Sequence, residues 1–304
     1  MRLRAFKLFD LAALAIVVIQ AFGFLQSVAA VADSVAQFRL HLSFVLAVFF
    51  AVSLLLRRWK LSLLTGLSLV AGISMLSPAF PSLPATPIAG TASLRIVQFN
   101  TLFDNQSPAL IESIVRSAEA DVVTLQEVSN KTAVILDDLS AEYPFQIRCR
   151  FTGLGGVAVM ARYPVSSKGC VEGEGLAWLL LDLDGRKITV ASLHLHWPWP
   201  YRQPGQIKRL EPALLALPRP VVLAGDFNAV TWSNAVARVE TATGSKVIGG
   251  LRLSLMLTGM GTNGIPFLPI DQILMPADWS YRSVRLGPPA GSDHLPVIAK
   301  LIIP

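Results

Sequence analysis

The first 80 residues carry the feature that most limits how this chain can fold. Three apolar stretches follow one another there, at residues 8–31, 40–56 and 61–80. Each approaches the roughly 17–25 residues that a helix needs to cross the hydrocarbon core of a bilayer. The sequence therefore predicts that residues 1–80 form a membrane anchor with about three transmembrane helices, and that the lipid bilayer is a partner of the protein.

Two other interpretations of these stretches stay open on the sequence. The second and third stretches are short enough to form a re-entrant hairpin instead of two crossings. The first stretch is also compatible with a cleaved signal peptide, whose charged n-region would be Arg2, Arg4 and Lys7. Even without the first stretch, the two apolar segments that follow would anchor the chain.

Lysine and arginine are unevenly distributed between the stretches. The loop between the first and second stretches carries only Asp33 and Arg39, whereas basic clusters lie before the first stretch and at residues 57–60. By the positive-inside rule, the two clusters face the cytoplasm. With three crossings, we expect a multi-pass protein of the inner (plasma) membrane whose C-terminal region lies on the non-cytoplasmic side.

The positive charge of the chain belongs mostly to this N-terminal region. The whole chain has a net charge of +6. Residues 1–91 hold seven Lys/Arg and two Asp/Glu, a net charge of +5, which leaves +1 for residues 92–304. The C-terminal region therefore has no net electrostatic attraction for a polyanion such as DNA, although a local basic patch is compatible with this count.

A proline-rich segment separates two regions of different character. Proline occurs at every third residue from Pro78 to Pro87, which predicts a stiff linker over residues 81–91. Residues 92–304 then form the predicted catalytic domain. That domain holds both cysteines, Cys149 and Cys170, and the sequence allows either a disulfide between them or two separate thiols.

Short apolar runs alternate with amphipathic segments through the predicted catalytic domain. Several runs are apolar throughout, as in strands that are buried on both faces. Segments 107–118 and 205–216 are typical of helices, and Ser129 and Thr231 are candidate caps of two others. About eight to ten strands and four helices predict an α/β fold, a two-sheet β-sandwich flanked by helices in four layers. The predicted strands lie at residues 94–99, 122–125, 156–160, 177–183, 187–195, 221–224, 270–274 and 296–301.

Polar side chains stand at the ends of the first two of these strands. Asn100 ends the first strand and Glu127 follows the second, at the position where α/β proteins usually build sites. An Asn at a strand end is also a common turn residue. A carboxylate that ends a buried strand needs a cation beside it, which is either a metal such as Mg²⁺ or an Arg or Lys side chain.

Two histidines follow in the run Leu193-His194-Leu195-His196. Alternation along a strand places both imidazoles on one face. A two-histidine transition-metal site is one interpretation, but no third His or Cys ligand is evident nearby in the sequence. The other interpretation is that His194 donates to a phosphate oxygen.

Further carboxylates lie at the ends of later strands. The run Gly225-Asp226-Phe227-Asn228 places a carboxylate and an amide together after a buried strand, a pair that can orient a water molecule. Asp293 and His294 are adjacent and can supply a metal ligand and a general acid or base. Asp271 lies inside an apolar strand, where it can hold an imidazole in its working tautomer or pair with an arginine.

Taken in order, these segments resemble the endonuclease/exonuclease/phosphatase superfamily over residues 94–302. The resemblance implies a metal-dependent phosphoric ester hydrolase with Mg²⁺ as cofactor, or Mn²⁺ in its place. It implies Glu127 as the main metal ligand, with Asn100 and Asp293 near the metal and the phosphate. It implies catalytic roles for five further residues. Asp226 and Asn228 position the water and the phosphate. Asp271 orients His294, which is the general base or a donor that stabilises the phosphate, and His194 stabilises charge or assists the leaving oxygen.

Two positions depart from the pattern of the superfamily. Many relatives carry an acidic residue where this chain has Leu102, and an arginine where it has Pro269. The predicted domain is also short, which leaves little room for DNA-gripping insertions. The resemblance thus implies a phosphodiesterase or phosphatase whose substrate is a nucleic acid, a lipid headgroup or a small phosphoester. The alternative is a catalytically degenerate, membrane-bound binding module, although every central position is filled.

Overall fold

A computed structural model describes residues 2–80, 91–153, 155–257 and 264–304 of the chain. Ten of the eleven residues of the predicted proline-rich linker, 81–90, lie outside these ranges. That prediction concerns residues that the structure does not describe.

The N-terminal region is helical. Helix α1 covers Arg2–Phe22, the short helix α2 covers Ala30–Ala36, α3 covers Arg39–Leu55 and α4 covers Trp59–Ser74. The side chain of Gln20 near the end of α1 donates to Ser43 near the start of α3 over 3.3 Å. Arg58, just before α4, pairs with Asp10 near the start of α1. Helices α1 and α4 therefore run parallel to each other, and α3 runs in the opposite direction between the same two ends.

This bundle is polar inside and apolar outside. Ser43, Ser53, Ser62 and Thr65 are buried between the helices, and the Oγ atoms of Ser53 and Ser62 lie 2.9 Å apart. The outward face consists of large apolar side chains, all exposed: Leu8, Leu11, Val18, Phe44, Val48, Leu55, Leu63, Leu67 and Val70. Such a distribution is the reverse of that in a water-soluble bundle, where the apolar stripe faces inward.

The lengths of these helices correct part of the sequence prediction. One helix, at Lys7–Leu25, is long and apolar enough to cross a membrane. Helix α3 passes the same test only together with α2, from which it is bent by 61°, and α4 is a shorter apolar helix. The described residues thus contain one such helix, or two if the bent pair forms one span. Two of the predicted stretches extend beyond the helices. In the first stretch, the α-helix ends at Phe22 and a 3₁₀ turn follows, and in the third stretch, α4 ends at Ser74.

The rest of the chain folds into two mixed six-stranded sheets. The first sheet has the order β13-β14-β1-β2-β4-β3 and the second has the order β5-β6-β7-β8-β12-β9. A separate pair, β10 and β11, is antiparallel. The strands are β1 Ser93–Asn100, β2 Val122–Val128, β3 Phe145–Arg150, β4 Gly156–Ala161, β5 Val165–Val171, β6 Leu176–Leu183, β7 Arg186–His194, β8 Val221–Asp226, β9 Ser245–Val247, β10 Leu255–Leu257, β11 Ile265–Leu268, β12 Asp271–Pro276, β13 Ser280–Leu286 and β14 Val297–Ile302.

The sheets pack face to face, and helices cover their outer faces. Side chains from both sheets, among them Ile96 and Val190, form the central core. Helices α5 (Pro108–Ser117) and α6 (Val134–Asp138) pack on the first sheet. Helices α7 (Gln203–Leu215) and α8 (Asn234–Thr243) pack on the second. The predicted four-layer α/β sandwich is confirmed.

The strands that the sequence did not reveal lie mostly at sheet edges. All eight predicted strands are present, but β3, β5, β9, β10, β11 and β13 were missed. Strand β3 is an edge of the first sheet and β5 is an edge of the second, and both carry several half-buried or exposed side chains. An edge strand of this kind has neither a continuous apolar run nor a clean alternation, so hydrophobic periodicity does not detect it.

A disulfide joins these two edge strands. Cys149 of β3 and Cys170 of β5 are bonded, with their Cα atoms 5.7 Å apart. The bond therefore links the two sheets covalently at one side of the sandwich. Of the two alternatives that the sequence left open, the structure has the disulfide.

The helical region is docked against the sandwich by specific hydrogen bonds. The carboxylate of Asp33 in α2 accepts from the backbone N of Asn234 and of Ala235, over 2.8 and 3.2 Å, at the start of α8. Trp232 Nε1 donates to the carbonyl oxygen of Ala36 over 2.8 Å. Gln37 Oε1 accepts from the backbone N of Val230 over 2.8 Å. These contacts fix α2 beside the loop that follows β8.

Candidate active site

The strand register brings the predicted site residues to one end of the sandwich. Strands β1 and β2 are parallel, so Asn100 pairs with Gln126 and lies beside Glu127. Strands β7 and β8 are also parallel, and His194 pairs with Asp226. Strand β12 runs antiparallel to β8 and places Asp271 opposite Asp226. Because the two sheets face each other, the polar side chains at these strand ends lie around one cleft.

Asp271 and His294 form a buried hydrogen-bonded pair. The Oδ2 atom of Asp271 lies 2.7 Å from Nδ1 of His294. The opposite ring nitrogen, Nε2, faces Oδ2 of Asp226 at 3.8 Å. Burial alone would lower the pKa of His294, but the negative charges of Asp271 and Asp226 outweigh burial and raise that pKa to about 10. The pair presents an oriented Nε2–H donor to the site.

Asp226 is the hub of the hydrogen-bond network. Its Oδ2 accepts from Nδ2 of Asn100 over 2.9 Å and lies 3.4 Å from Nε2 of His194. Its Oδ1 accepts from the backbone N of Asn228 over 2.8 Å. Burial would raise the pKa of this carboxyl, but the charge of His294 and the contacts with His194 and Asn228 hold the pKa below its ordinary value. Asp226 is therefore a buried, ionised carboxylate between two imidazoles.

Glu127 sits at the other sheet, half-buried at the end of β2. Its Oε1 accepts from Nδ2 of Asn100 over 3.1 Å, and its Oε2 accepts from the backbone N of Phe103 over 3.1 Å. The backbone of Glu127 has a φ of +54°. Gly155 allows this conformation, because a Cβ there would lie 2.6 Å from the backbone carbon of Glu127. The amide of Asn100 thus bridges the carboxylates of the two sheets.

The loop after β1, which contains Leu102, also contacts these two side chains. Leu102 has a φ of +60°, and its backbone N donates to Oδ1 of Asn100 over 3.0 Å. The next backbone N, that of Phe103, donates to Glu127. In this chain the loop after β1 therefore holds Asn100 and Glu127 through main-chain donors.

Asp293 lies near the carboxylates of both sheets. It is half-buried, and burial raises the pKa of its carboxyl, an effect that the charges of Glu127 and Asp226 add to and that of His294 opposes. Three carboxylates therefore meet at this end of the cleft. Such a surplus of negative oxygen ligands suits a hard divalent cation.

Among the described residues, one group of three acidic, His or Cys side chains brings its ligand atoms within 4.8 Å of one another: Asp226, Asp271 and His294. Both oxygens of Asp271 already accept hydrogen bonds, from Gln98 over 2.8 Å and from His294. All three residues are buried, Asp226 and Asp271 to 1% exposure. A Mg²⁺ ion usually retains several water molecules, so the half-exposed Glu127 and Asp293 fit such an ion better than this trio does.

Two residues of the network were not singled out from the sequence. Gln98 donates from Nε2 to Asp271 Oδ1 and, over 2.8 Å, to Gln126 Oε1. Ser292 Oγ donates to the carbonyl oxygen of Asn100 over 2.8 Å and accepts from the backbone N of His294 over 3.1 Å. A glutamine within the apolar run of β1 is itself a signal, because a buried amide requires partners.

The two histidines of β7 and the following loop do not form a metal pair. The ring of Phe151 lies beside both imidazoles, with centroids 4.9 Å from His194 and 4.7 Å from His196. In the described part of the chain, neither histidine belongs to a group that could hold a metal by the 4.8 Å criterion. His194 instead points Nε2 toward Asp226 and Asn228.

The sequence matches the model of one known protein family. The model of the Endonuclease/Exonuclease/phosphatase family matches residues 97–294. The chain belongs to this family. No curated protein matches the sequence. The matched segment begins in β1 and ends at His294, and it contains all eight predicted site residues.

Solved structures with the family fold include a named enzyme. Sphingomyelinase C from Streptomyces griseocarneus is 18% identical with a TM-score of 0.50, and the match covers 69% of this chain and 99% of that one. An endonuclease/exonuclease/phosphatase from Beutenbergia cavernae is 19% identical with a TM-score of 0.54, over 69% of this chain and 72% of that one. A family protein from Leptotrichia buccalis is 15% identical with a TM-score of 0.55, over 68% and 99%. At these identities, the similarity shows the fold.

Proposed function

We propose that the protein is a membrane-anchored, divalent-metal-dependent phosphoesterase that hydrolyses its substrate by attack of water on phosphorus. The observation that carries the proposal is the continuous network from Asp271 through His294 to Asp226, and from Asp226 through Asn100 to Glu127. Phosphoryl transfer requires mainly positioning and neutralisation of charge. This network provides the positioning, and its carboxylates suit a cation that would neutralise the charge.

The residues at the cleft fit a divalent cation, which we take to be Mg²⁺ or Mn²⁺. Glu127 and Asp293 would hold it, with Asn100 close by, and when bound it would neutralise charge on the phosphate. Asn100 donates to both Glu127 and Asp226, so it also keeps the two carboxylates apart in fixed positions.

The remaining site residues act on the water and the phosphate. Asp226, fixed by the backbone N of Asn228, accepts a proton from the attacking water. His294, held by Asp271, donates from Nε2 to a phosphate oxygen. His194 is the second imidazole, and its Nε2 lies close enough to Asp226 and Asn228 to stabilise charge or to protonate the leaving oxygen. The P–O bond to that oxygen breaks as the P–O bond to water forms.

We further propose that residues 1–80 form the membrane anchor and that residues 92–304, the catalytic domain, lie on the non-cytoplasmic side. The inverted polarity of the helical bundle supports an apolar surrounding. The disulfide between Cys149 and Cys170 supports an oxidising compartment. The end of α1 and the start of α3 lie toward the catalytic domain, and the basic residues 57–60 lie at the opposite end of the bundle. The positive-inside rule then supports a cytoplasmic location for those basic residues.

A substrate panel tests the proposed activity. The full-length protein in detergent is incubated with bis(4-nitrophenyl) phosphate, plasmid DNA, sphingomyelin and a phosphoinositide, with Mg²⁺ or with a chelator. We expect hydrolysis of at least the chromogenic diester with Mg²⁺ and its loss with the chelator. No turnover with any substrate at any tested metal would contradict the proposal and favour a binding module.

A further inference from the structure

An apolar groove separates the helical region from the catalytic end of the sandwich. One wall is formed by Phe38 and its neighbours between α2 and α3. The other wall is the run Trp-Pro-Trp-Pro-Tyr at residues 197–201, which we name the aromatic loop, and Leu268 contributes to the lining. None of the described residues that line the groove is a lysine or an arginine. The groove therefore lacks the cationic side chains that would neutralise the phosphates of a nucleic-acid strand.

The groove is continuous with the candidate active site. Asn228 forms part of its wall. The Nδ2 atom of the same residue lies 3.5 Å from Nε2 of His194, and its backbone N donates to Asp226. A phosphoester bound beside Asp226 and His194 would therefore have the groove next to it, and an apolar substituent on its phosphate could lie there.

The aromatic side chains of the groove are exposed although the backbone that carries them is fixed. Phe38, Trp197, Trp199 and Tyr201 are between 43% and 67% exposed. Ser34 of α2 donates to the carbonyl oxygen of Trp199 over 2.8 Å. A clustered, exposed apolar surface of this kind marks a binding or membrane-contact site. Tryptophan and tyrosine are the residues enriched where a protein meets the bilayer interface.

The groove borders the start of helix α3, whose exposed face is apolar. Helix α3 starts at Arg39, directly after Phe38, and its exposed face carries Phe44 and Val48. The groove has a volume of about 150 Å³, which is the size of a cavity that holds one benzene ring. It can therefore take only the first few methylene groups of a long chain, and the rest of that chain would continue along α3.

From these observations, and on the basis of the proposed function, we infer that the substrate is a lipid phosphoester. Its phosphate binds at His294 and His194, and the first part of its apolar chain lies in the groove between Phe38 and the aromatic loop. The lipid enters from the bilayer side, along α3. The groove then selects for an apolar substituent on the phosphate.

The test uses the full-length protein in nonionic detergent and three 4-nitrophenyl phosphodiesters whose second substituent is methyl, hexyl or dodecyl. Each buried methylene favours binding by about fourfold (~0.8 kcal/mol), so two seated methylenes already give more than tenfold. We expect kcat/KM to rise by about tenfold or more from methyl to dodecyl. In Trp199→Ala and in Phe38→Ala most of this rise is lost, while hydrolysis of the methyl ester is unchanged.

The matched control is Trp59→Ala, which removes another exposed tryptophan, at the opposite end of the bundle, and should retain the full rise. Because the detergent concentrates the dodecyl ester equally for all variants, only a difference between variants reports the groove. Equal hydrolysis of all three esters by the wild type, or an unchanged rise in both groove variants, would overturn the inference alone. Preferred hydrolysis of plasmid DNA that is insensitive to both variants would also overturn it. If no ester is hydrolysed, the proposed function is wrong and the inference falls with it.

Discussion

At the scale of single residues, the pair Asp271–His294 determines how the imidazole is presented to the site. Asp271 uses one oxygen for His294 Nδ1 at 2.7 Å and the other for Gln98 Nε2 at 2.8 Å. This arrangement fixes both the tautomer and the orientation of the ring. The imidazole therefore depends on the charge of a residue that itself is too buried to meet the substrate.

Replacing Asp271→Asn removes this charge with little change in volume. We expect kcat to fall by about 10²–10⁴-fold, by analogy with the loss of the correct tautomer in other aspartate–histidine pairs. His294→Ala should cause a loss of similar size, and the double variant should lose little more than the worse single one, because the two residues act as a unit. If the loss of kcat in the double variant instead equals the product of the two single losses, the two residues do not act as a unit.

Most of this site could be predicted from the sequence, since its side chains stand at the ends of apolar strands. The register of β1 with β2 and of β7 with β8 then brings them together. Gln98 and Ser292 could not be predicted, because their role depends on which side chains of the other sheet and of the 291–295 loop they face. The main-chain donors of Leu102 and Phe103 could not be predicted either, because a backbone N–H leaves no trace in the residue types.

At the scale of elements, the two edge strands β3 and β5 are joined through Cys149 and Cys170. Periodicity did not reveal either strand, although the cysteines within them hinted at a contact. The two cysteines are 21 positions apart in the sequence. A cross-link that closes a loop of this length stabilises a protein by about 3 kcal/mol in the chain-entropy account.

The double variant Cys149→Ala/Cys170→Ala should therefore unfold at a lower temperature. For a domain of this size we expect a decrease in Tm of about 6–12 °C, measured by tryptophan fluorescence of the protein in detergent. A reducing agent should lower the Tm of the wild type and leave that of the double variant unchanged. A wild type that is insensitive to the reductant at full reduction would contradict a stabilising role for this bond.

At the scale of the whole molecule, the N-terminal region packs against the sandwich. Its helices dock on the sandwich through Asp33, Gln37 and Trp232, although the sequence predicted only an anchor and a linker. Docking could not be predicted because it depends on hydrogen bonds between segments about 200 residues apart. Helix lengths were also overestimated, since hydropathy alone does not locate the bend of 61° between α2 and α3.

The proposed orientation can be checked by labelling from outside intact cells. Both native cysteines are bonded to each other, so a single new thiol reports its own location. With a membrane-impermeant maleimide, Arg282→Cys on exposed strand β13 should react, whereas Lys60→Cys in the first turn of α4 should react only after the membrane is broken. In a bacterium with an outer membrane, that membrane is first made permeable to the reagent. Labelling with the opposite preference would place the catalytic domain in the cytoplasm.

Glu127 is the residue that we propose as the main ligand of a divalent cation for phosphoester hydrolysis. The most direct measurement is the rate of bis(4-nitrophenyl) phosphate hydrolysis as Mg²⁺ is titrated, for the wild type, Glu127→Gln and Glu119→Gln. Glu119 is an exposed glutamate that pairs with Arg95 at the surface, so its variant serves as the matched control. We predict a saturable dependence on Mg²⁺ for the wild type and the control, and a rate lower by about 10²-fold or more for Glu127→Gln. Equal rates for Glu127→Gln and the wild type over the whole titration would contradict the account.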